Sequence, residues 1–362
     1  MATSNMGECL VHRPTSPGRT IAVLTAIVAL AGCSGGGATP STTPSEAAAS
    51  SGTTQSVSPA AQKPLKITLL TTYNGLPFYT AMYCGTLAAA KELGGQIEIT
   101  SEGPPHGMNV AEQLPILTAA INAKPDGMIL VPADARALVA TVQKAMADGL
   151  PIVTTDQALE QEVAIAHYGA DNKAGGKLAA DEMLKLVGDQ SGYILVLDNR
   201  TGLPVTNLRA DGFIEGIKAN TKLTLLETQY NADDPNKAAT QTQAALLAHP
   251  DLLGVFATAE AGAMGAASAL KAVTGTKPHV VAYDAGPTLV RALRDGDFDA
   301  LIAQGSYGQG HDSMTTLVKY IRGEITKVDP YNNNIPNVLV TKDNIDQPDV
   351  AKFLYPDKCP GT

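Results

Sequence analysis

Two aspartates close two similar apolar runs, Asp156 in PIVTTD and Asp284 in HVVAYD, 128 positions apart. A carboxylate accepts from two hydroxyls at once, and a hydrogen bond to a charged group contributes about 1.5–3 kcal/mol. Such a pair on facing walls suits the capture of a small hydroxyl-rich molecule. Helix capping is the plainer role, because Asp between a strand and a helix is a favoured N-cap. Residues for reaction chemistry are missing by comparison. In GADNKAGGKLAADE, Leu178 follows Gly176 and Lys177 where a phosphate loop needs Ser or Thr, and no Gly sits five positions before Gly176. From Leu65 onward the chain has no G-x-S-x-G elbow, and it has no H-E-x-x-H pair. His106, His167, His249, His279 and His311 are scattered singly, which argues against a zinc site. Asp295, Asp297 and Asp299 alternate as in a calcium loop, but Ala300 replaces its turn glycine and Ser306 its bidentate Glu. The expectation is a binding protein with no metal, no cofactor and no catalytic residue, and DGDFDA reads as a polar turn entering a strand.

The elements that must position these aspartates come in a regular alternation. From Leu65 onward, short β-branched and Leu-rich runs alternate with longer Ala-rich stretches of helical period, the rhythm of βαβ units and a parallel sheet. Strands are expected at LKITLLTT, QIEITS, GMILVP, PIVTTD, YILVLD, LTLLETQ, LGVFAT, HVVAYD and ALIAQ, with helices such as AEQLPILTAAINA and ALVATVQKAMADG between them. The pattern also repeats. NGLPFYTAMYCG and TGLPVTNLRADG share Gly-Leu-Pro and a later glycine, Gly85 and Gly212, 127 positions apart. Asp126 and Asp251, each in a Pro-Asp pair before a strand, lie 125 apart. Offsets this close to the one between Asp156 and Asp284 indicate two similar α/β lobes rather than a solenoid, whose period would be shorter. Ligands of open parallel sheets bind beyond the carboxyl ends of the strands, so two facing sheets would put both aspartates on one cleft.

Length and charge agree with this. A chain of 362 residues suits two domains, and a formal net charge of −9 argues against a nucleic-acid surface. Trp is absent, and the cationic residues form neither a membrane-surface helix nor a stacking platform for bases. Arg13 and Arg19 precede the apolar run Ile21 to Leu30, too short to span a bilayer and the right length for a signal-peptide core. It ends in LAGC, which resembles the bacterial lipoprotein processing box, in which Cys33 would be lipidated. The following stretch of Ser, Thr, Gly, Ala and Pro lacks the large apolar residues of a core and reads as a flexible tether. Cys9 leaves with the signal, so Cys84 and Cys359 remain. In an exported chain they suggest a disulfide joining the C-terminal tail to the first helix, with two separately packed thiols as the alternative.

Taken together, NGLPFYTAM, LVPADARA, PIVTTDQA, GADNKAGGKLAADEML, LRADGFIEGI, AHPDLLGVFAT, VVAYDAGP and LIAQGSYGQG resemble the ribose-binding-protein type of periplasmic sugar-binding proteins, the substrate-binding subunits of ABC importers. The likeness runs from Leu65 to about Lys327. It implies doubly wound lobes crossed three times by the chain near Ala170, Gln304 and Asn334. The expected organisation is a signal and processing box over 1–33, a tether over 34–64, a first lobe of 65–170 plus 305–334, a second of 171–304 plus 335–355, and a tail of 356–362. The resemblance also implies ligand contacts. Asn74 matches a polar ligand position, Phe78 and Tyr79 match paired aromatics that sandwich a sugar ring, Arg209 matches a basic cleft residue and Gln304 a hinge amide. The plainer roles are core packing for the aromatics, a salt bridge to Asp211 or Asp234 for Arg209, and an inert hinge residue for Gln304.

Departures from the ribose pattern narrow the ligand. Gln157 stands where an Arg follows the first-lobe aspartate, Asn207 replaces a second Arg, Asp233 an aromatic, and Val131 and Ala259 two Asn. Fewer Arg and an added carboxylate fit a neutral monosaccharide or sugar alcohol and count against an anion, with a cationic ligand left open. The expected partners are that small molecule, an ABC permease with its ATPase, and the membrane through the lipid anchor alone. A monomer outside the cytoplasmic membrane is expected. The rival expectations are a sensory protein presenting a ligand to a receptor or chemoreceptor, and an exported hydrolase on the same sheets, which the lack of a nucleophile and base disfavours.

Overall fold

A computed structural model describes residues 63–107 and 109–360 of the chain. The signal segment, the Cys33 processing box and most of the tether lie outside the described residues. Among those described, no helix is long and apolar enough to cross a membrane.

In chain order the first part runs β1 (Leu65–Leu70), α1 (Pro77–Glu92), β2 (Ile97–Glu102), α2 (Val110–Asn122), β3 (Gly127–Leu130), α3 (Val139–Ala147), β4 (Ile152–Thr155) and β5 (His167–Ala170). A second series follows: α4 (Asn172–Val187), β6 (Gly192–Asp198), α5 (Pro204–Lys218), β7 (Leu223–Leu225), β8 (Gln229–Tyr230), α6 (Pro235–Ala248), β9 (Leu252–Ala257), α7 (Glu260–Leu270), β10 (His279–Tyr283), α8 (Pro287–Asp295) and β11 (Ala300–Gln304). The chain ends with α9 (Ser306–Ile321), β12 (Asn332–Ile335), β13 (Asn337–Thr341) and α10 (Pro348–Ala351).

Two sheets result, with strand orders β12-β5-β4-β3-β1-β2 and β13-β11-β10-β9-β6-β7, β8 also pairing with β6. The orders superpose strand for strand, β1 on β6, β3 on β9 and β4 on β10. All pairings are parallel except that of β11 with β13. The fold is thus two α/β lobes with parallel-strand sheets. Central strands bury both faces, as Leu69, Ile129 and Val153 do in the first sheet and Leu195, Phe256 and Val281 in the second, which explains their near-continuous apolar runs. LTLLETQ divides into β7 and β8. Neither β5, HYGA, nor β12, NNNI, carries an apolar run; they pair with each other at one side of the first sheet.

The repeated Gly-Leu-Pro has a backbone explanation. Gly75 and Gly202 take φ of 88° and 74°, values a side chain disfavours. Leu76 and Leu203 are extended N-cap residues, and Pro77 and Pro204 open α1 and α5 with φ already suited to a helix. The repeated Gly85 and Gly212 serve helix contact. A Cβ on Gly85 would collide with the carbonyl oxygen of Tyr307 in α9, and one on Gly212 with that of Lys173 in α4. The two pairings, α1 with α9 and α5 with α4, occupy equivalent places. In each, one helix crosses over: α4 follows β5 of the first sheet but packs against β10 and β11, while α9 follows β11 and packs against β3, β4 and β5.

After β13 the tail returns to the first lobe, where Cys359 forms a disulfide with Cys84 of α1. The bond closes a loop of 275 positions, and the chain-entropy estimate for so long a loop is about 5–6 kcal/mol of stabilisation.

Gly85→Ala and Gly212→Ala should each lower stability by roughly 1–3 kcal/mol through overpacking of backbone on backbone; urea denaturation measures this, and unchanged midpoints would show that the helix pairs separate at no cost. Cys84→Ser should lower stability by about 2–5 kcal/mol, with the same loss on reduction of the unaltered chain.

Candidate functional site

A cavity of about 350 Å³ is lined by residues from both lobes. Its polar groups sit where strands end. Thr72 follows β1, Asp156 follows β4, Asn199 follows β6, Asp233 follows β8, Glu260 and Asp284 follow β9 and β10, and Gln304 ends β11. Both sheets therefore present their carboxyl ends to one space, the general ligand position of open α/β sheets.

Asp156 and Asp284 both border it, one from each sheet. Neither caps a helix. No helix begins at Asp156, and α8, after Asp284, has Gly286 at its N-cap without a side-chain bond. Both adopt left-handed backbone, with φ of 63° and 78°, a region where Asp is tolerated better than most residues. This turn at the strand end faces each carboxylate into the cavity.

Their surroundings differ. Asp156 is 8% exposed and accepts one bond, from Tyr79 Oη at 3.2 Å, while Tyr79 Oη also lies 2.6 Å from the Thr72 hydroxyl. Burial pushes the Asp156 carboxyl up to about 6, against the opposing pull of Arg209. Asp284 is held on several sides: Gln304 Nε2 donates to Oδ1 at 2.6 Å, Tyr355 Oη donates to the same oxygen at 3.1 Å, and Arg209 Nη1 stands 3.9 Å from Oδ2. Arg209 pairs with neither Asp211 nor Asp234. Its Nε donates to Asn172 Oδ1, its Nη1 donates to the Thr258 carbonyl, and its guanidinium covers the Tyr283 ring at 3.9 Å.

The aromatic pair does not form a sandwich. Phe78 and Tyr79 line the cavity, but their ring centroids are 5.1 Å apart at 77°, an edge-to-face contact with no room for a sugar ring between them. Phe78 meets Tyr355 edge-on in the same way, at 5.5 Å and 80°. Gln304 lines the cavity and is 3% exposed; its amide bonds Asp284 through Nε2, while its Oε1 has no partner.

Three residues singled out from the sequence stand outside the lining. Asn74 is exposed on the β1–α1 turn, its backbone N–H donating to the Pro104 carbonyl. Gln157 is buried behind Asp156, with Oε1 unpartnered. Asn207 works within the β6–α5 turn, donating to Asp198 Oδ2 and the Arg200 carbonyl and accepting from the Leu203 N–H. Asp233 does line the cavity, as an exposed rim residue with φ of 63°.

Two lining residues escape a sequence reading. Tyr355 lies far down the chain in a tail with no counterpart in the repeat. Its N–H donates to the Ala285 carbonyl and its hydroxyl reaches Asp284, four positions before the disulfide cysteine. Glu260 opens α7, where a carboxylate reads as a helix-dipole partner. A solitary charge in FATAEAG at a strand end was the available signal. Burial, then Asp284 and Asp233, pushes Glu260 up to about 7.

The chain matches the periplasmic binding protein domain model over residues 67–325. It is 27% identical over 250 residues to the ribose import binding protein RbsB of Escherichia coli (strain K12), covering 68% of this chain and 82% of the relative. A D-apiose import binding protein of Actinobacillus succinogenes is also 27% identical, over 71% of this chain and 82% of its own. Among solved structures, an ABC transporter solute binding protein of Agrobacterium vitis with bound D-fucose superposes at a TM-score of 0.72 and 33% identity, covering 80% of this chain and all of that one. Another from the same organism, bound with α-D-tagatopyranose, superposes at 0.73 and 30% identity, covering 81% and 99%.

Because the Asp156 carboxyl is raised in the fold, the folded state holds a proton that the unfolded chain releases between about pH 4 and 6. This carboxyl therefore weakens the fold as pH rises through that window. Buried His167, lowered to about 4, acts in the opposite sense, so the informative quantity is a difference. Asp156→Asn should be more stable than the unaltered protein at pH 8, and the advantage should vanish by pH 4; a difference independent of pH in thermal unfolding would place the aspartate in water.

Proposed function

The chain belongs to the family of periplasmic binding protein domains, and from that premise we propose that it is the substrate-binding subunit of an ABC importer, capturing a monosaccharide or sugar alcohol by closing two lobes around it. The observation that carries this reading is that Asp156 and Asp284, from different sheets, border one cavity. A ligand shifts an open–closed equilibrium only by the difference in its affinity for the two states. Contacts confined to one lobe give binding without closure, whereas a sugar whose hydroxyls donate to both aspartates is held fully only when the lobes meet. Relatives that import ribose and D-apiose, and similar solute binding proteins holding D-fucose and tagatopyranose, support a sugar as the ligand class.

The hinge consists of the segments near Ala170, Gln304 and Asn334, where the chain leaves one sheet for the other. The two lobes are 65–170 with 305–334 and 171–304 with 335–355. Within the cavity Tyr79, Asp156, Arg209, Asp233, Asp284 and Gln304 supply polar contacts, while Phe78 offers a ring edge to the ligand's C–H face. Asn74 and Gln157 reach the ligand only with movement of the turns that carry them, and Asn207 serves by fixing the β6–α5 turn. Export, lipidation at Cys33 and a tether over 34–64 would hold the monomer outside the cytoplasmic membrane within reach of the permease. No bond is made or broken, and a micromolar ligand would supply about −8 kcal/mol.

Asp156→Asn and Asp284→Asn keep side-chain shape and tolerate left-handed backbone. Each should weaken sugar binding roughly tenfold or more, the margin between charged and neutral hydrogen bonds, and each should reduce the ligand-induced contraction seen by small-angle scattering. Should either variant bind and contract like the unaltered protein, the two-wall reading is wrong.

A further inference from the structure

The cavity is unbalanced in charge. Four carboxylates line it, Asp156, Asp233, Glu260 and Asp284, against one cationic side chain, Arg209. That guanidinium is already committed, bonded to Asn172 and Thr258, laid on Tyr283 and nearest to Asp284. Nothing comparable offsets the others. Asp156 has Tyr79 as its one hydrogen-bond donor and feels the Arg209 charge without contact. The carboxylates of Glu260 and Asp233 make no hydrogen bond or ion pair among the described residues, and Asp233's one bond is through its backbone N–H to Asn231. Gln304, only 3% exposed, adds to the same lining an amide oxygen without a donor.

These are acceptors waiting for donors. An uncharged hydroxyl brings one donor and no charge, so it satisfies one carboxylate oxygen but leaves the summed negative charge of the cavity unbalanced when the lobes close. An ammonium group brings three donors and a full positive charge. A metal ion is a poor fit, since no three His, Cys, Asp or Glu side chains among the described residues are grouped to hold one. A macrodipole role for Glu260 explains its place at the start of α7 but not its half-buried position against Asp233 and Asp284.

We propose that the ligand is a sugar or sugar alcohol carrying a protonated amine, with the ammonium seated between Glu260 and Asp233 and the hydroxyls on Asp156, Asp284 and Gln304. This rests on the reading above that the cavity takes a polyhydroxylated ligand. Burial and the neighbouring carboxylates raise Glu260 and Asp233, and a seated ammonium would lower both. Arg209 then has a defined part: it neutralises Asp284, so that the uncompensated charge lies on the Glu260 side of the cavity.

The test uses the purified protein and matched sets of compounds, each a neutral pentose, hexose or polyol, its aminodeoxy form and its N-acetylated form. D-glucose, D-glucosamine and N-acetyl-D-glucosamine make one set, and D-galactose with its two derivatives another. In titration calorimetry the best-binding set should favour the amine at least tenfold over the neutral and the N-acetylated members. In Glu260→Gln and Asp233→Asn this ratio should fall toward one, with circular dichroism confirming that the variants fold. A neutral member that binds as tightly as its amine, or a ratio unmoved by both substitutions, overturns the proposal. Binding by neutral members alone overturns the amine while sparing the sugar reading; no binding by any member of any set overturns both.

Discussion

One carboxylate gathers the binding architecture. Asp284 draws Gln304 from the strand that leads out of the second sheet, Tyr355 from the C-terminal tail and Arg209 from α5. Each contact ties a different part of the chain to the cavity. Gln304 stands where the polypeptide passes from β11 to α9, so a change at the aspartate is felt at a crossing segment. Tyr355 is also packed edge-on against Phe78 of the first lobe, and its segment is fastened to α1 by the disulfide. Hydrogen bonds inside a water-poor cavity are stronger than in bulk water, and a missing partner costs correspondingly more. The network around Asp284 therefore sets the shape of the second wall before any ligand arrives.

The duplication explains why so much of this was legible in the sequence. Gly-Leu-Pro recurs because both lobes need the same turn from strand into helix, and Gly85 and Gly212 recur because a helix backbone must approach another there. The paired aspartates recur because the equivalent strands β4 and β10 are each followed by a left-handed residue at the cavity. Whatever the two lobes share is visible as repetition. What breaks the symmetry is not: Tyr355 belongs to an unrepeated tail, and Glu260 has a charge whose burial depends on Asp233 and Asp284 being near in space. The edge-to-face geometry of Phe78 and Tyr79 was equally hidden, because adjacency along a helix does not fix the angle between rings. Asn207 shows the converse, a residue in a family position whose hydrogen bonds are spent within its own turn. Strands β5 and β12 escaped because four residues of His, Tyr, Gly and Ala, or of Asn and Ile, carry no apolar run; register with their neighbours alone makes them strands.

The tail adds a constraint that the three crossing segments do not. From Tyr355, bonded to Ala285 and Asp284 of the second lobe, four residues lead to Cys359 on α1 of the first. At roughly 3.5 Å per residue, an extended chain of that length reaches about 14 Å. Separation of the lobes at this point is bounded by that reach unless Tyr355 releases its partners. Under the proposed lobe closure, a tether of this kind would keep the buried Tyr355 ring at the cavity throughout the movement.

In the proposed clamp, electrostatics and closure are connected. Bringing the lobes together removes water from Asp156, Glu260 and their neighbours, and dehydrating carboxylates without partners is unfavourable. On the proposed function an empty cavity would resist closing, by repulsion among its own acceptors as well as by lost hydration. Ligand groups that donate to these oxygens turn the same term favourable, so the closed form is disfavoured without the ligand and favoured with it. The size of that reversal, rather than the total number of contacts, sets how completely a bound molecule shifts the population. In that proposal, acceptors left without donors in the protein are the part of the site that would couple recognition to movement, and residues already satisfied, such as Asn207, would contribute rigidity instead.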